Sequence, residues 1–141
     1  MRIIKYPNPV ISAPTHEVRA DEMKSVITKF YKRCLNSIGD GIGLAGNQVG
    51  MGKRICAVRQ SKTKLFIMVN PKITWMSDET YEVEEGCLSL ESTYKVNRAE
   101  KIIVEYLSPA GEWIKSQFDG EIAQIIQHEV DHLNGILIND I

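Results

Sequence analysis

Residues 119–135, DGEIAQIIQHEVDHLNG, decide the fold, because they predict a helix around which the other elements can be arranged. Apolar residues recur in this stretch at spacings of three and four, the period of an amphipathic helix: Ile122, Ile125, Ile126, Val130 and Leu133. Asp119 is a suitable N-cap, Glu121 places a negative charge in the first turn, and Gly135 is a suitable stop. The stretch therefore predicts a helix near the end of the sequence with one buried face.

The same helix carries a pattern that is typical of metal sites, His128-Glu129-Val130-Asp131-His132. Two histidines four residues apart lie on one face of a helix, where both imidazoles can bind one cation. Glu129 lies beside that face, and its carboxylate can take a proton from a water that a bound zinc ion brings to a pKa of about 7. A surface helix with two histidines by chance is the alternative. The chain has three histidines, and the third, His16, is distant in sequence, so the clustering favours a metal site.

A catalytic site of this kind needs a third protein ligand. After His132 the sequence contains no His, Glu or Cys, and Asp140 lies close to the terminus, so we expect the third ligand upstream. Cys87 is the best candidate, because a neighbouring glycine lets the backbone bring its thiolate close to the metal. Cys34 and Cys56 lie among apolar residues and are expected to be small buried hydrophobes. The sequence thus predicts a Cys-His-His site.

The remaining segments predict an α+β fold, with antiparallel or mixed sheets packed around the C-terminal helix. An amphipathic period predicts a first helix over Ala20–Ile38, and the glycine-rich residues 41–50 are expected to form a functional loop. Alternating and β-branched segments predict the following strands: Arg54–Val58, Lys64–Val69, Ile73–Met76, Thr80–Glu84, Lys101–Leu107 and Trp113–Phe118. The turn Gln60–Thr63 makes the first two a hairpin, and Asn70-Pro71 is expected to end the second.

Composition limits the class of protein. A chain of 141 residues with 43% hydrophobic and 25% charged residues is typical of one globular domain, so we expect a single domain over residues 1–141. Basic and acidic residues nearly balance to a net charge of -1, which argues against nucleic acid as a substrate and against a membrane surface as a partner. Neither a signal segment nor a disulfide framework is apparent in a chain with three cysteines, and we expect a cytoplasmic protein.

Three motifs, in this order along the chain, resemble those of the peptide deformylase family. Residues 41–48, GIGLAGNQ, are similar to its G-x-G-L-A-A-x-Q loop, residues 85–89 to its E-G-C-L-S strand, and residues 127–132 to its Q-H-E-x-D-H helix. The likeness also includes Tyr6–Pro9, Val96–Arg98 and Leu133–Gly135, and so covers nearly the whole chain. The fold implied is that of the family, with the motif helix at the centre of the sheets.

The resemblance implies an enzyme that removes the N-formyl group from the formylmethionine of nascent polypeptides by metal-dependent hydrolysis. It implies three metal ligands: Cys87, His128 and His132. Glu129 is implied as the general acid and base, with the Gln48 amide and the backbone N–H of Leu88 holding the oxyanion. It further implies that the peptide and its methionine side chain are bound by Ile42, Gly43, Gly86 and Ile125.

The resemblance also implies the cofactor and partners. One divalent ion is expected, iron(II) in the cell, with zinc, nickel or cobalt able to occupy the site. The implied partners are N-formylmethionyl peptides and the ribosome near the nascent-chain exit, with no membrane and no direct nucleic-acid substrate. The implied compartment is a bacterial cytosol, or a host cytosol for a phage-encoded protein.

Three departures from the family pattern are visible in the sequence. Gly46 replaces the second alanine of the loop motif and is expected to loosen the loop that holds Gln48. The segment after Leu90 is about one residue short and has no arginine, which puts affinity beyond the methionine in doubt. The sequence also lacks an extended C-terminal helix. Two other readings stay open: a metallopeptidase of the HExxH type, and a catalytically weak metal-binding homologue.

Overall fold

The computed structural model describes residues 3–141, which fold into an α+β arrangement. Two α-helices are present in this part of the chain, α1 at Met23–Ser37 and α2 at Gly120–Leu133. The strands are β1 Gly43–Ala45, β2 Ile55–Ser61, β3 Lys64–Met76, β4 Thr80–Glu85, β5 Tyr94–Ala99, β6 Lys101–Leu107 and β7 Trp113–Asp119. Short 3₁₀ helices lie at Pro9–Ser12, Ala20–Glu22, Gly46–Val49 and Ile138–Asp140. Neither of the described helices is long and apolar enough to cross a membrane.

The strands form two sheets, a five-stranded sheet in the order β1-β2-β3-β6-β7 and a two-stranded sheet of β4 and β5. Neighbouring strands pair in the antiparallel sense in both sheets. The apolar face of α2 packs on the larger sheet, where Ile126 and Leu133 belong to the same core cluster as buried residues of β6 such as Ile102 and Val104. The period of 3.6 in the helix and of 2 in the strand bring these residues to one shared face, as the sequence predicts.

The strands β2 and β3 lie between the two helices. Alternate residues Cys56, Val58 and Met68 belong to the core under α2, and their neighbours Ile55, Ala57, Ile67 and Val69 belong to the core under α1. A strand covered on both faces is apolar without alternation, which explains the continuous run Ile55–Val58. Cys34 and Cys56 are fully buried in these cores, which confirms the prediction that both are small hydrophobes.

One predicted strand end is wrong. Lys64–Val69 and Ile73–Met76 are a single strand, β3, which passes through Asn70-Pro71 with a shift of register between Val69 and Lys72. Asn70 has a φ of 51°, and its side chain accepts a bond from the N–H of Val18 (2.8 Å) and donates to the Val18 carbonyl (2.9 Å). A register shift, held by hydrogen bonds to a distant segment, thus interrupts the pairing without ending the strand.

Three further details differ from the sequence predictions. Strand β5, Tyr94–Ala99, was not predicted, because its apolar and polar residues alternate only as far as Asn97 and the buried charge of Arg98 then breaks the period of two. The glycine-rich segment is an ordered strand followed by a 3₁₀ helix. Asp119 precedes α2 without capping it through its side chain, which accepts instead from Gln117 Nε2 (3.0 Å), whereas Gly135, with a φ of 78°, ends the helix as predicted.

Candidate metal centre

The three predicted metal ligands converge at one point. His132 Nε2 lies 3.2 Å from Cys87 Sγ and 3.2 Å from His128 Nε2. All three donor atoms lie within 4.8 Å of one another. The histidines come from successive turns of α2, and Cys87 comes from the turn after β4, which its carbonyl closes by accepting from the N–H of Leu90 (3.0 Å).

The donor set fits one divalent transition-metal ion. With metal–nitrogen bonds of about 2.05 Å, two nitrogens of a tetrahedral site lie about 3.3 Å apart, close to the separation of the two imidazoles. Two imidazoles and one thiolate suit both zinc and iron(II), and three protein ligands leave a position for water or substrate. Cys87, His128 and His132 therefore have the donor atoms and the spacing of a catalytic site for one metal ion.

A buried network of charges orients His128. Its Nδ1 lies 2.8 Å from Glu85 Oε1. Arg98 donates two hydrogen bonds to Glu85, at 2.8 and 2.7 Å, and one to Asp131 at 2.7 Å. A carboxylate on Nδ1 fixes the tautomer and turns the Nε2 lone pair toward a metal. Sequence reasoning assigned no role to Glu85, Arg98 or Asp131, although Glu85 and Asp131 each stand within two residues of a predicted ligand.

The pKa values of His128, His132 and Glu85 follow from this burial and pairing. Burial alone would raise the pKa of Glu85, but the hydrogen bonds from Arg98 and His128 outweigh it and lower the pKa to about 2. Burial lowers the pKa of His132 to about 3 and keeps its imidazole neutral. Burial also lowers the pKa of His128, but interactions with Cys87 and Glu85 outweigh it and raise the pKa to about 10. A bound ion would displace a proton from that ring, because a metal binds its lone pair.

Gln48 is held by both ends of its amide. Its Oε1 accepts from the N–H of Ala45 (2.9 Å), and its Nε2 donates to Ser89 Oγ (3.0 Å) and lies 3.8 Å from Cys87 Sγ. Ser89 in turn donates to the Ile4 carbonyl (2.7 Å). The amide N–H groups therefore face the ligand cluster, and Ser89, which sequence reasoning missed, fixes their direction.

Glu129 is 3% exposed and packs against the backbone of Gly43. A Cβ atom at position 43 would overlap its carboxylate, so a glycine is required there. Burial raises the pKa of Glu129 to about 7, against the opposing charge of His128. A carboxyl group with such a pKa can both accept and donate a proton near neutral pH.

These groups line one cleft of about 400 Å³. Of the ten residues predicted for the site, nine line it: Ile42, Gly43, Gln48, Gly86, Cys87, Leu88, Ile125, His128 and Glu129. His132 is buried beside it and contributes its Nε2 to the donor cluster. Ile42 is 52% exposed at the mouth, whereas Ile125 belongs both to the cleft wall and to the core, the double role that an amphipathic helix allows.

The departures from the family pattern have clear structural settings. Gly46 is buried, and the carbonyl oxygens of Lys53 and Met51 lie 2.6 and 3.0 Å from where a Cβ would stand, so a glycine fits this position better than the family's alanine. The short segment after Leu90 brings Thr93 close to Gly86 and lets its hydroxyl donate to Glu84 Oε1 (2.5 Å).

A helix with two histidines and a glutamate, a cysteine from the turn after β4 and an open cleft together define a class, the metal-dependent hydrolases with a Cys-His-His donor set. Comparison with known proteins gives the family. The family model described as polypeptide deformylase matches residues 1–141, and the chain belongs to that family. Its members are metal-dependent enzymes that act on formylmethionyl nascent peptides.

Relatives and solved structures agree with this assignment. A peptide deformylase of Psychrobacter cryohalolentis is 38% identical over 144 residues, which cover 98% of this chain and 77% of the relative. The crystal structure of a probable peptide deformylase from synechococcus phage S-SSM7 superposes with a TM-score of 0.91 at 36% identity, covering 98% of this chain and 97% of the other. A class I type b peptide deformylase from Acinetobacter baumannii, solved with Met-ala-ser bound, gives 0.89 at 33% identity, covering 100% and 98%.

Proposed function

We propose that residues 1–141 form one catalytic domain in which Cys87, His128 and His132 hold one divalent ion and the N-formyl group of formylmethionyl peptides is hydrolysed. The observation that carries the proposal is the convergence of these three donor atoms beside a buried glutamate and a fixed glutamine amide. Each group that amide hydrolysis needs is then within one cleft: a site for the metal, a proton carrier and oxyanion donors.

The bound ion would supply a Lewis acid and make a coordinated water acidic enough to ionise near neutral pH. Glu129 takes the proton from the water as its oxygen bonds to the formyl carbon. The Gln48 amide and the N–H of Leu88 donate to the negative charge that develops on the formyl oxygen. Glu129 then passes the proton to the leaving nitrogen as the carbon–nitrogen bond breaks, which leaves formate and a free amine.

The peptide is proposed to bind in extended form between the two sheets. Strand β1 is at the end of its sheet and pairs with β2 on one side, so its other edge can accept a peptide strand near Ile42 and Gly43. Gly86, after β4, lines the same cleft. Ile42 and Ile125 offer an apolar lining for the methionine side chain. The Acinetobacter baumannii relative with Met-ala-ser bound supports a peptide of this kind as the ligand.

Iron(II) is the ion that we propose for the cell, with zinc, nickel or cobalt as substitutes that the same donors accept. We also propose that the protein works in the cytosol, of a bacterium or of a phage host, on chains that emerge from the ribosome. These proposals rest on the family resemblance and on the donor set, which combines a thiolate with two imidazoles.

Formate release from formyl-Met-Ala-Ser by iron-loaded protein prepared without oxygen tests the activity. Acetyl-Met-Ala-Ser and an internal peptide are the controls, and a Glu129→Gln variant with the same metal content is the matched protein. We expect release from the formyl peptide alone and a loss of at least about 100-fold in the variant. Cleavage of the internal peptide would favour a metallopeptidase instead, and inactivity with every metal would favour a binding protein.

A further inference from the structure

The two histidine ligands are supported differently. Nδ1 of His128 has Glu85 as its partner, whereas Nδ1 of His132 is buried and has no hydrogen-bond partner among residues 3–141. His132 is 1% exposed, and a buried N–H without an acceptor costs about 1–3 kcal/mol. A ligand whose second nitrogen has no partner also has no fixed tautomer, which a metal site needs.

Asn47 is the neighbour that can meet this need. It is 1% exposed, and its Nδ2 donates to the main-chain oxygen of His132 at 2.6 Å. Its Oδ1 is buried and, within the described part of the chain, is equally without a partner. Among residues 3–141, two further side-chain oxygens are buried without a hydrogen-bond partner: Glu129 Oε1, beside the cleft, and Asn139 Oδ1, on the last 3₁₀ helix. A residue already bonded to His132 thus carries an unused acceptor, and His132 carries an unused donor.

We propose that Asn47 is the positioning residue of His132: one buried water accepts the Nδ1 hydrogen of His132 and donates to Asn47 Oδ1, while Asn47 Nδ2 donates to the main-chain oxygen of the same histidine. The inference rests on the proposed metal site. A water bridged in this way satisfies both buried groups and turns the Nε2 lone pair of His132 toward Cys87 and His128. Because Gln48 follows Asn47 in the same 3₁₀ helix, the bond also ties the oxyanion donor to the ligand.

The test uses zinc-loaded protein and two readouts that need no turnover. Long-range ¹H–¹⁵N spectra of the histidines report the tautomer of His132 and the exchange rate of its Nδ1 hydrogen, and chelator competition reports zinc affinity. Asn47→Leu should speed that exchange and weaken zinc binding about 10-fold or more. Asn47→Asp keeps the Oδ1 acceptor and loses the Nδ2 donor to the His132 oxygen, so the Nδ1 hydrogen should persist, and its proton resonance should move downfield because the acceptor is now charged. Asn139→Leu removes the other buried asparagine oxygen and should leave both readouts unchanged.

Several outcomes would overturn the proposal. One is an Asn47→Leu protein that keeps the zinc affinity and the Nδ1 signal of the parent while losing only thermal stability, since Asn47 would then be structural. If Asn47→Leu does not fold, the comparison is made between the parent and Asn47→Asp. An Nδ1 resonance that is the same in these two proteins would also overturn the proposal. Failure of the parent to bind zinc would refute the proposed metal site itself. Inactivity toward formyl peptides would refute the proposed activity alone, because neither the His132 spectra nor the zinc affinity depends on turnover.

Discussion

Restoring the family's alanine at position 46 should destabilise this protein. Gly46 is buried, and a Cβ atom there would stand 2.6 Å from the Lys53 oxygen and 3.0 Å from the Met51 oxygen, below or at the limit that real Cβ atoms respect. Both obstacles are backbone. The N–H of Met51 donates to the Gly46 oxygen at 2.9 Å, and Lys53 forms a bridge with His16, so neither carbonyl can move without breaking a hydrogen-bonded loop.

The expected magnitude follows from two opposed effects. Overpacking of this kind costs about 1–3 kcal/mol, and the lower entropy of the unfolded chain returns about 0.4–1 kcal/mol. With the middle value of each range, the net loss of stability is about 1.3 kcal/mol, or roughly 4–5 °C in Tm for a chain of this size. Because Gln48 lies two residues further along, kcat should fall as well.

Thermal and urea unfolding of the metal-loaded protein measure this effect. Gly52→Ala is the matched control, since a Cβ there meets nothing within 4 Å, and it should leave the Tm equal or slightly higher. A Gly46→Ala protein that is as stable as the parent, or more so, would refute the argument from the close carbonyls. The loop that contains Gly46 would then be loose enough to accept a methyl group, as the sequence alone predicts.

Four other predictions concern the metal site and the cysteines. Gly43→Ala should reduce kcat at least about 100-fold with little change in zinc content, because the added methyl displaces the Glu129 carboxylate, which we propose as the proton carrier; a normal kcat would contradict this contact. Arg98→Leu should weaken zinc binding about 10–100-fold in chelator competition, and an unchanged affinity would show that the buried network does not act on the ligands. Cys34 and Cys56 should resist thiol reagents in the folded protein, because burial raises the pKa of the Cys34 thiol to about 11 and that of the Cys56 thiol still further. Cys87 should react once the metal is chelated. Labelling of either buried thiol under native conditions would contradict the packing. Iron-loaded protein should lose activity in air faster than nickel-loaded protein, because a thiolate next to ferrous iron is easily oxidised, and equal lifetimes would refute this.

The sequence predicts the parts of this protein that depend on local period and on strong motifs. The amphipathic spacing around His128 and His132 is sufficient for α2, and the position of Cys87 beside a glycine is sufficient to nominate it as the third donor. The alternation of apolar and polar residues likewise predicts β6 and β7. In each case the residue pattern that predicts the element also predicts which of its faces is buried.

The features that escaped prediction depend on contacts between distant segments. Asn70 would end a strand by local rules, but Val18 supplies both of its side-chain hydrogen bonds and the strand continues. Arg98 is an ordinary charged residue in sequence, and it becomes informative once folding buries it against Glu85 and Asp131. The close packing around Gly46 does not follow from its neighbours in the sequence, because the Met51 and Lys53 carbonyls that pack against it lie several residues away.

The origin of the three donors has a consequence for how the protein holds together. The histidines belong to the helix on the large sheet, whereas Cys87 follows β4 in a sheet of two strands, which has little stability by itself. A shared ion is then a cross-link between two substructures, and its binding energy is also folding energy for the smaller one. The supply of metal in the cell would thus govern the lifetime of the fold around the cleft as well as its chemistry.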